Sequence, residues 1–422
     1  MLRSALAACA ALVFAATAAQ AATLQTIKSF CATGGTACTD GSDPSALVRD
    51  AAGTFYGTTR GGGAYREGSI FSLVPNADHS AWTYKVLRSF CPKVGVCTGG
   101  AAPTGNLVID TAGNLYGVTT FGGHDAQGAS PGFGTVFKLT PDRKLVVLYR
   151  FCVERKCVDG SHPEAGLTYA GAASGVPYDG VSPLYGTAGG GAHNKGLVYE
   201  LSFSGGVATR KTIYDFCAAA ACTDGLDPLS SLTVDAHGSL IGTTGFGGAH
   251  EAGVIFKLTP GSGGTWTESV LHDFDNPPGS PMSGVLIDGA GNMFGTAGSS
   301  YAGVLYRLSG SSYSVLHTFC QQDKCADGGA PRGDLSMDAS GDLTGVTSVG
   351  GVNNSKRKGG TVFSYSGSGG FSLLYSFCSE ARCKDGNSPN AGVVLDADGS
   401  IFGTTGDAGE NGSGGTIFKL TP

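Results

Sequence analysis

Residues 50–57 read DAAGTFYG and residues 396–403 read DADGSIFG. In each, an aspartate and a glycine three residues later open a turn between two short apolar runs. A link of this length is too short for a parallel crossover, so the flanking runs must pair as an antiparallel hairpin. The same D-x-x-G turn returns at Asp110, Asp235, Asp288 and Asp338. Hairpins repeated along a chain raise the question of what unit is being repeated.

A phenylalanine ahead of each hairpin marks the unit. It recurs at Phe30, Phe90, Phe151, Phe216, Phe274, Phe319 and Phe377, in steps of 60, 61, 65, 58, 45 and 58 residues. Each copy continues in one order: a run such as NLVID, the D-x-x-G turn, a run such as NLYGVTT, a Gly-Gly loop, GTVFKLTP, and a run ending in Phe such as VVLYRF (146–151). The runs are short, rich in Val, Ile, Leu, Phe and Tyr, and bounded by Gly, Pro or Asp, which marks them as strands. Periods of this size with several strands each belong to a propeller or a solenoid, and a parallel β-helix would have shorter coils and no such hairpins. The expected fold is all-β: a seven-bladed β-propeller of four-stranded antiparallel blades. With the strands named a to d, the first strand, LQTIKSF (24–30), is a d strand, and GTIFKLTP (415–422) is a c strand. The N-terminal strand is therefore expected to pair in the last blade, closing the ring and removing its free edge.

Composition agrees. Glycine supplies 71 of 422 residues, more than twice the usual ~7%, without a collagen period, while 41% hydrophobic residues suffice for a core. Only 14% of residues are charged and the net charge is −6, which excludes nucleic acid as an expected partner. At the N-terminus Arg3 precedes the apolar run ALAACAALVFAATAA and then AQAA, with an A-x-A site at Ala19 and Ala21. This is a leader rather than a membrane span, which needs about 20 apolar residues. LAAC at 6–9 imitates a lipoprotein box but stands at the start of the apolar run instead of its end. The expectation is a leader over 1–21 and one propeller domain over 22–422. The protein is expected to be exported to the periplasm or beyond, monomeric, and without a membrane span or anchor.

Loss of the leader removes Cys9 and leaves twelve cysteines in local pairs: Cys31 with Cys38, Cys91 with Cys97, Cys152 with Cys157, Cys217 with Cys222, Cys320 with Cys325, and Cys378 with Cys383. Export makes disulfides the default. Zinc needs four converging ligands, and no histidine pattern accompanies the pairs. Each bridge closes the connection from strand d of one blade to strand a of the next and removes unfolded-state freedom worth roughly 2 kcal/mol. Repeat 5 reads FDNPPGSP (274–281) there and lacks both cysteines together, as partners in one bond should.

The phrases GNLYGVTTFGG, GTVFKLTP and the Phe-Cys…Cys-x-Asp-Gly…Pro series resemble the GloVer tandem repeat of exported bacterial proteins, over essentially all of residues 24–422. The resemblance implies export and repeat architecture. It supplies no catalytic residues. Members commonly carry a C-terminal sorting segment, which this sequence does not show.

Strand alternation puts the a–b and c–d turns on one rim and the b–c and d–a loops on the other, the usual ligand face of a propeller. There, Asp40, Asp159, Asp224, Asp327 and Asp385 follow the second cysteine, with Gly99 in repeat 2. They read as turn aspartates capping their own backbone; the competing reading is a cation-binding ring, although no D-x-D-x-D-G run is present. His124, His193 and His250 occupy matching b–c loops, with Tyr65 in the fourth; these read as exposed. His272 and His317 are placed on outer strands as surface residues, and His162 in CVDGSHPEAG is the candidate acid or base. The short repeat 5 is expected to leave a notch with Tyr301 on its floor, His250 and Glu251 on one wall and Lys356, Arg357 and Lys358 on the other, suited to an acidic sugar. No metal or cofactor motif is present, and the expectation is none. Three functions fit: a scaffold that binds a glycan or surface protein, a secreted polysaccharide lyase or hydrolase at the channel mouth, and a structural spacer. Mass spectrometry of the non-reduced mature protein should find six bridges within repeats and no free thiol; a bridge between repeats would rule out this division into blades.

Overall fold

The computed structural model describes residues 22–32, 38–92, 97–123, 132–275, 279–353 and 359–421; the proposed leader lies outside them. Seven antiparallel sheets form a seven-bladed β-propeller. In blade 2 the strands are Ala101–Ile109 (a), Leu115–Phe121 (b), Thr135–Leu139 (c) and Leu145–Arg150 (d), with a lining the central channel. The helical segments described are 3-10 turns of three residues, and none could cross a membrane.

Closure follows the sequence. The last blade consists of Val394–Leu395, Ile401–Thr405, Thr416–Thr421 and, as its d strand, Thr23–Ser29, which pairs antiparallel from Thr23 opposite Thr421 to Ser29 opposite Thr416. One hydrophobic cluster fills each of the seven interfaces between blades. The cluster at the ring closure joins Phe30, Phe55, Phe71, Phe402 and Ile417.

The repeated Phe is the knob of each interface. All seven are at most 4% exposed. Each packs on an aromatic in strand c of the following blade: Phe30 on Phe71, Phe90 on Phe137, Phe151 on Tyr199, Phe216 on Phe256, Phe274 on Tyr306, Phe319 on Phe363 and Phe377 on Phe418, with ring centroids 4.9–5.9 Å apart. The glycine of each b strand leaves space for that second ring. A Cβ on Gly57 would stand 2.6 Å from Phe71, and one on Gly403 would stand 2.5 Å from Phe418. Every d strand also carries a bulge at an aliphatic residue: Ile27, Leu87, Leu148, Ile213, Leu271, Leu316 or Leu374. The extra residue keeps an apolar side chain in the seam while re-aiming the strand end toward the next loop.

All six local disulfides are formed, as fits a chain that folds outside the reducing cytosol. The second cysteine does more than close its loop. The carbonyl of Cys157 accepts N–H groups from Gly160 in its own turn and from Gly191 in the b–c loop, and Cys38, Cys97, Cys222, Cys325 and Cys383 repeat the arrangement. The bridge thus holds the acceptor on which the Gly-Gly loop hangs. Blade 5 has neither the cysteine pair nor the Gly-Gly loop.

Removing residues 23–29 strips the d strand from the last blade and exposes the edge of Thr416–Thr421. The expected result is aggregation in place of a cooperative melt. A truncated protein melting with the parent would show that the ring does not depend on this strand.

Candidate functional site

The structure first decides the role of the repeated aspartates. Asp159, Asp224, Asp327 and Asp385 are at most 3% exposed. Asp159 accepts the Tyr149 hydroxyl at 2.8 Å and the backbone N–H groups of Val153 and Glu154; Asp385 does the same with Tyr375, Ser379 and Glu380. They hold the loop turn, and among the described residues no three His, Cys, Asp or Glu side chains gather as a metal site.

In the five repeats that carry this aspartate, the residue two before the repeated Phe (Lys28, Tyr149, Tyr214, His317 or Tyr375) bonds it, and the residue six before the next Phe lies beside it from the following blade. At the ring closure Lys28 pairs with Asp40 at 2.6 Å and lies over the Tyr84 ring. Between blades 5 and 6, His317 bonds Asp327 at 3.2 Å and stacks on Phe371 with centroids 3.7 Å apart. His272 stacks on Tyr313 at 4.0 Å. This corrects the expectation that His272 and His317 are surface residues: the bulge turns both rings into the seams, where burial lowers their pKa values. Between blades 3 and 4 the covering residue is instead Glu268. Its carboxylate stands near Asp224 with no cation beside it, and burial, helped by the Asp224 charge, pushes its pKa up to about 7.

The channel has two mouths. On the loop face, a cavity of ≈ 580 Å³ is ringed by the residue that follows the repeat's proline: Ser45, Thr104, Glu164, Leu229, Met282, Arg332 and Asn390, one from each blade. Local geometry fixes this ring. The residue before the proline has positive φ in six blades, for example 55° at Asp43, 47° at His162 and 55° at Asp227. Its N–H donates to a loop carbonyl of the preceding blade: Asp43 to Gly414, His162 to Phe133, Asp227 to Lys195, Ala330 to Tyr301. That bond fixes the chain as strand a begins, so the next side chain lands on the rim. Arg60, from strand b of blade 1, also lines the mouth, and neither it nor Arg332 forms an ion pair among the described residues. Desolvation raises the Asp43 carboxyl above its ordinary range, with Arg60 opposing the rise and Asp407 adding to it. Across the mouth, Leu229 is 38% and Met282 36% exposed.

The sequence-derived candidates lie around this ring. His162 is outside the lining; its imidazole stands edge-on to Phe121 and Phe133, 5.4 Å from each, and burial lowers its pKa. Tyr301 is 40% exposed on the shortened b–c loop of blade 5. His250 is held 3.2 Å from Asp275 and 3.7 Å from Asp273. His193 contacts the Phe216 carbonyl at 3.2 Å. His124, Lys356, Arg357 and Lys358 lie outside the described residues. The mouth ring itself escaped the sequence reading. Its signal was the position after a repeated proline, at which no two repeats carry the same residue.

Seven repeated blades closed by the first strand, with a variable ring at one mouth, define a β-propeller built to present side chains around its channel. The chain belongs to the Gloeobacter/Verrucomicrobia repeat family, whose pattern matches residues 10–187 and 173–355. No curated protein matches it by sequence. Among solved structures it is similar to an ulvan lyase, a polysaccharide lyase bound to -[GlcA(1-4)Rha3S]- (13% identity, 89% of this chain and 93% of that one, TM-score 0.50). It is also similar to a puromycin-hydrolysing peptidase of Mycobacterium tuberculosis (8%, 90% and 52%, 0.50) and a putative 6-phosphogluconolactonase of Bacteroides uniformis (12%, 86% and 89%, 0.48). At these identities the likeness establishes the fold alone.

Glu268 sets a pH dependence. Its native pKa, about 7, lies above the ordinary carboxylate value, so the native state keeps a proton that the unfolded chain releases. The contribution of Glu268 to stability should therefore be fully present below about pH 4.5 and be lost as pH rises toward 7. Glu268→Gln should flatten that loss in urea midpoints; an unchanged slope would place the charge in water.

Proposed function

We propose that this protein is an exported, monomeric binding propeller that takes an anionic saccharide at its loop-face mouth. The observation that carries this reading is the ring after the prolines. The surrounding positions repeat because the blades need them, whereas the ring carries a different side chain in each blade, as a contact surface does. Arg60 and Arg332 flank blade 7 and supply guanidinium groups matched to carboxylate or sulfate. Leu229 and Met282 on blades 4 and 5 offer the apolar surface that a sugar's C–H face covers. Asn106, Asn390 and Glu164 add hydrogen-bonding groups between these poles. Tyr301 and His250, on the b–c loops of blades 5 and 4, are the further contacts proposed for a longer glycan chain. That an ulvan lyase of this fold is solved with an acidic saccharide is compatible with the reading.

A lyase or hydrolase at the same mouth is the second reading, favoured by the desolvated Asp43 carboxyl beside Arg60. Incubation with polyuronates separates the two: formation of unsaturated uronate products would make it an enzyme. For binding, Arg332→Ala should weaken affinity for a polyuronate or sulfated glycan about tenfold, a loss of ~1.4 kcal/mol, at an unchanged melting temperature. Glycan-array signals equal in parent and variant would exclude the mouth as the site.

A further inference from the structure

The opposite mouth has different chemistry. On the hairpin face the channel widens to a cavity of ≈ 1010 Å³ whose collar is mostly aliphatic, with Val48, Val108, Leu232, Val285, Leu286 and Leu335. The charged side chains in its lining besides Asp334 are Arg49, paired with Asp396, and Asp50 and Asp110, bonded within their own turns. This is the size and character of a small-molecule site, in which apolar walls surround a few placed polar groups. The Thr233 hydroxyl, which might have made the wall polar, donates to the Val285 carbonyl instead.

At the waist, where both cavities meet, stands Asp334. The matching positions in other blades hold Ala46, Asn106, Gly166, Ser231, Gly284 and Gly392, so this carboxylate is alone in its layer. Its Oδ1 accepts the Gly284 N–H at 2.7 Å, and no cation pairs with it among the described residues. Two glycines make room for it. A Cβ at Gly284 would stand 2.9 Å from Asp334 Oδ1, and one at Gly392 would stand 2.7 Å from the Asp334 carbonyl oxygen.

Blade 3 adds a ledge over the opening. Where six repeats turn with D-x-x-G, residues 170–183 form a longer excursion, and its Ala172, Gly175 and Pro177 line the cavity. The ledge is fixed in place. Tyr178 is fully buried against Tyr116, its carbonyl accepts the Thr111 N–H at 3.0 Å, and the Tyr169 hydroxyl donates to the Val176 carbonyl at 2.8 Å. The hairpin face thus carries more than the a–b and c–d turns expected of it.

We infer that this funnel is a second binding site, entered from the face opposite the loop-face mouth and touching it only at the waist, for an elongated apolar molecule with a single cationic end. The apolar body covers the aliphatic collar, and the cation meets Asp334 at the waist. Inside an apolar collar a charge-assisted hydrogen bond outweighs its counterpart in water, and the apolar surface removed from water adds to binding in proportion to its area.

The test is calorimetric titration of the mature protein with n-octylammonium, 1-octanol and octanoate. Octylammonium should bind at least about tenfold tighter than octanol, and octanoate should give no heat. Asp334→Asn retains an acceptor for the Gly284 N–H and should bring octylammonium down to the octanol level. Val108→Trp, which fills the collar, should weaken both, with the melting temperature certifying a folded ring and Leu286→Trp as the substitute if that variant unfolds. Arg332→Ala should leave octylammonium binding unchanged, so failure at one mouth is read separately from failure at the other. Equal affinity for octylammonium and octanol, or octylammonium binding untouched by Asp334→Asn, would overturn the proposal.

Discussion

Each blade is held to the next by one aromatic contact, the Phe that ends strand d set against the ring in strand c of the following blade. Much else in the repeat exists to permit it. The glycine of strand b gives the second ring its space, the aliphatic bulge seals the seam behind it, and the buried aspartate with its tyrosine, histidine or lysine closes the seam at the loop end. A four-stranded blade cannot bury both its faces alone, so this contact ties the stability of each blade to its neighbours. The contact also explains why the sequence repeats phrases rather than an overall composition: each phrase supplies one part of the joint.

Positions outside the joint are free to differ, and function is to be sought there. The ring after the prolines is positioned as rigidly as the joint, through a left-handed residue whose N–H is tied to the preceding blade. Its side chains line the channel mouth, and apart from Ser45, bonded to Thr58, and Thr104, bonded to the Glu164 carbonyl, they take no part in the repeated joint. A rigid backbone carrying unconstrained side chains keeps the ordering cost of binding low, because the scaffold is fixed before any ligand arrives.

Hairpin turns, blade count, ring closure and cysteine pairing were legible because each rests on local geometry that a short phrase encodes, as D-x-x-G encodes its turn. The Asp-Gly turn was legible for the same reason. The fate of His272 and His317 was not, since strand alternation assigns them outward and only the bulge at Leu271 and Leu316 brings them back into the seam. The ring of mouth residues was hidden by its lack of a motif: Leu229 and Met282 read as ordinary apolar residues until the fold sets them on a rim. The ledge of blade 3 was hidden because it replaces a pattern instead of carrying one.

The pairing of Thr23 with Thr421 also orders events in time. The strand made first is the strand that pairs last. As the chain emerges, first strand first, into the oxidising compartment where it folds, six blades can acquire all their strands in turn, yet the ring stays a spiral with one orphan strand at its start. Loop-closure entropy grows only slowly with length, so this long wait costs little at equilibrium. Its cost is kinetic, as an interval in which an unpaired edge is open to other chains. The disulfide loops, each closed within its own repeat, can rigidify blade by blade during that interval and leave only the final strand exchange to be completed.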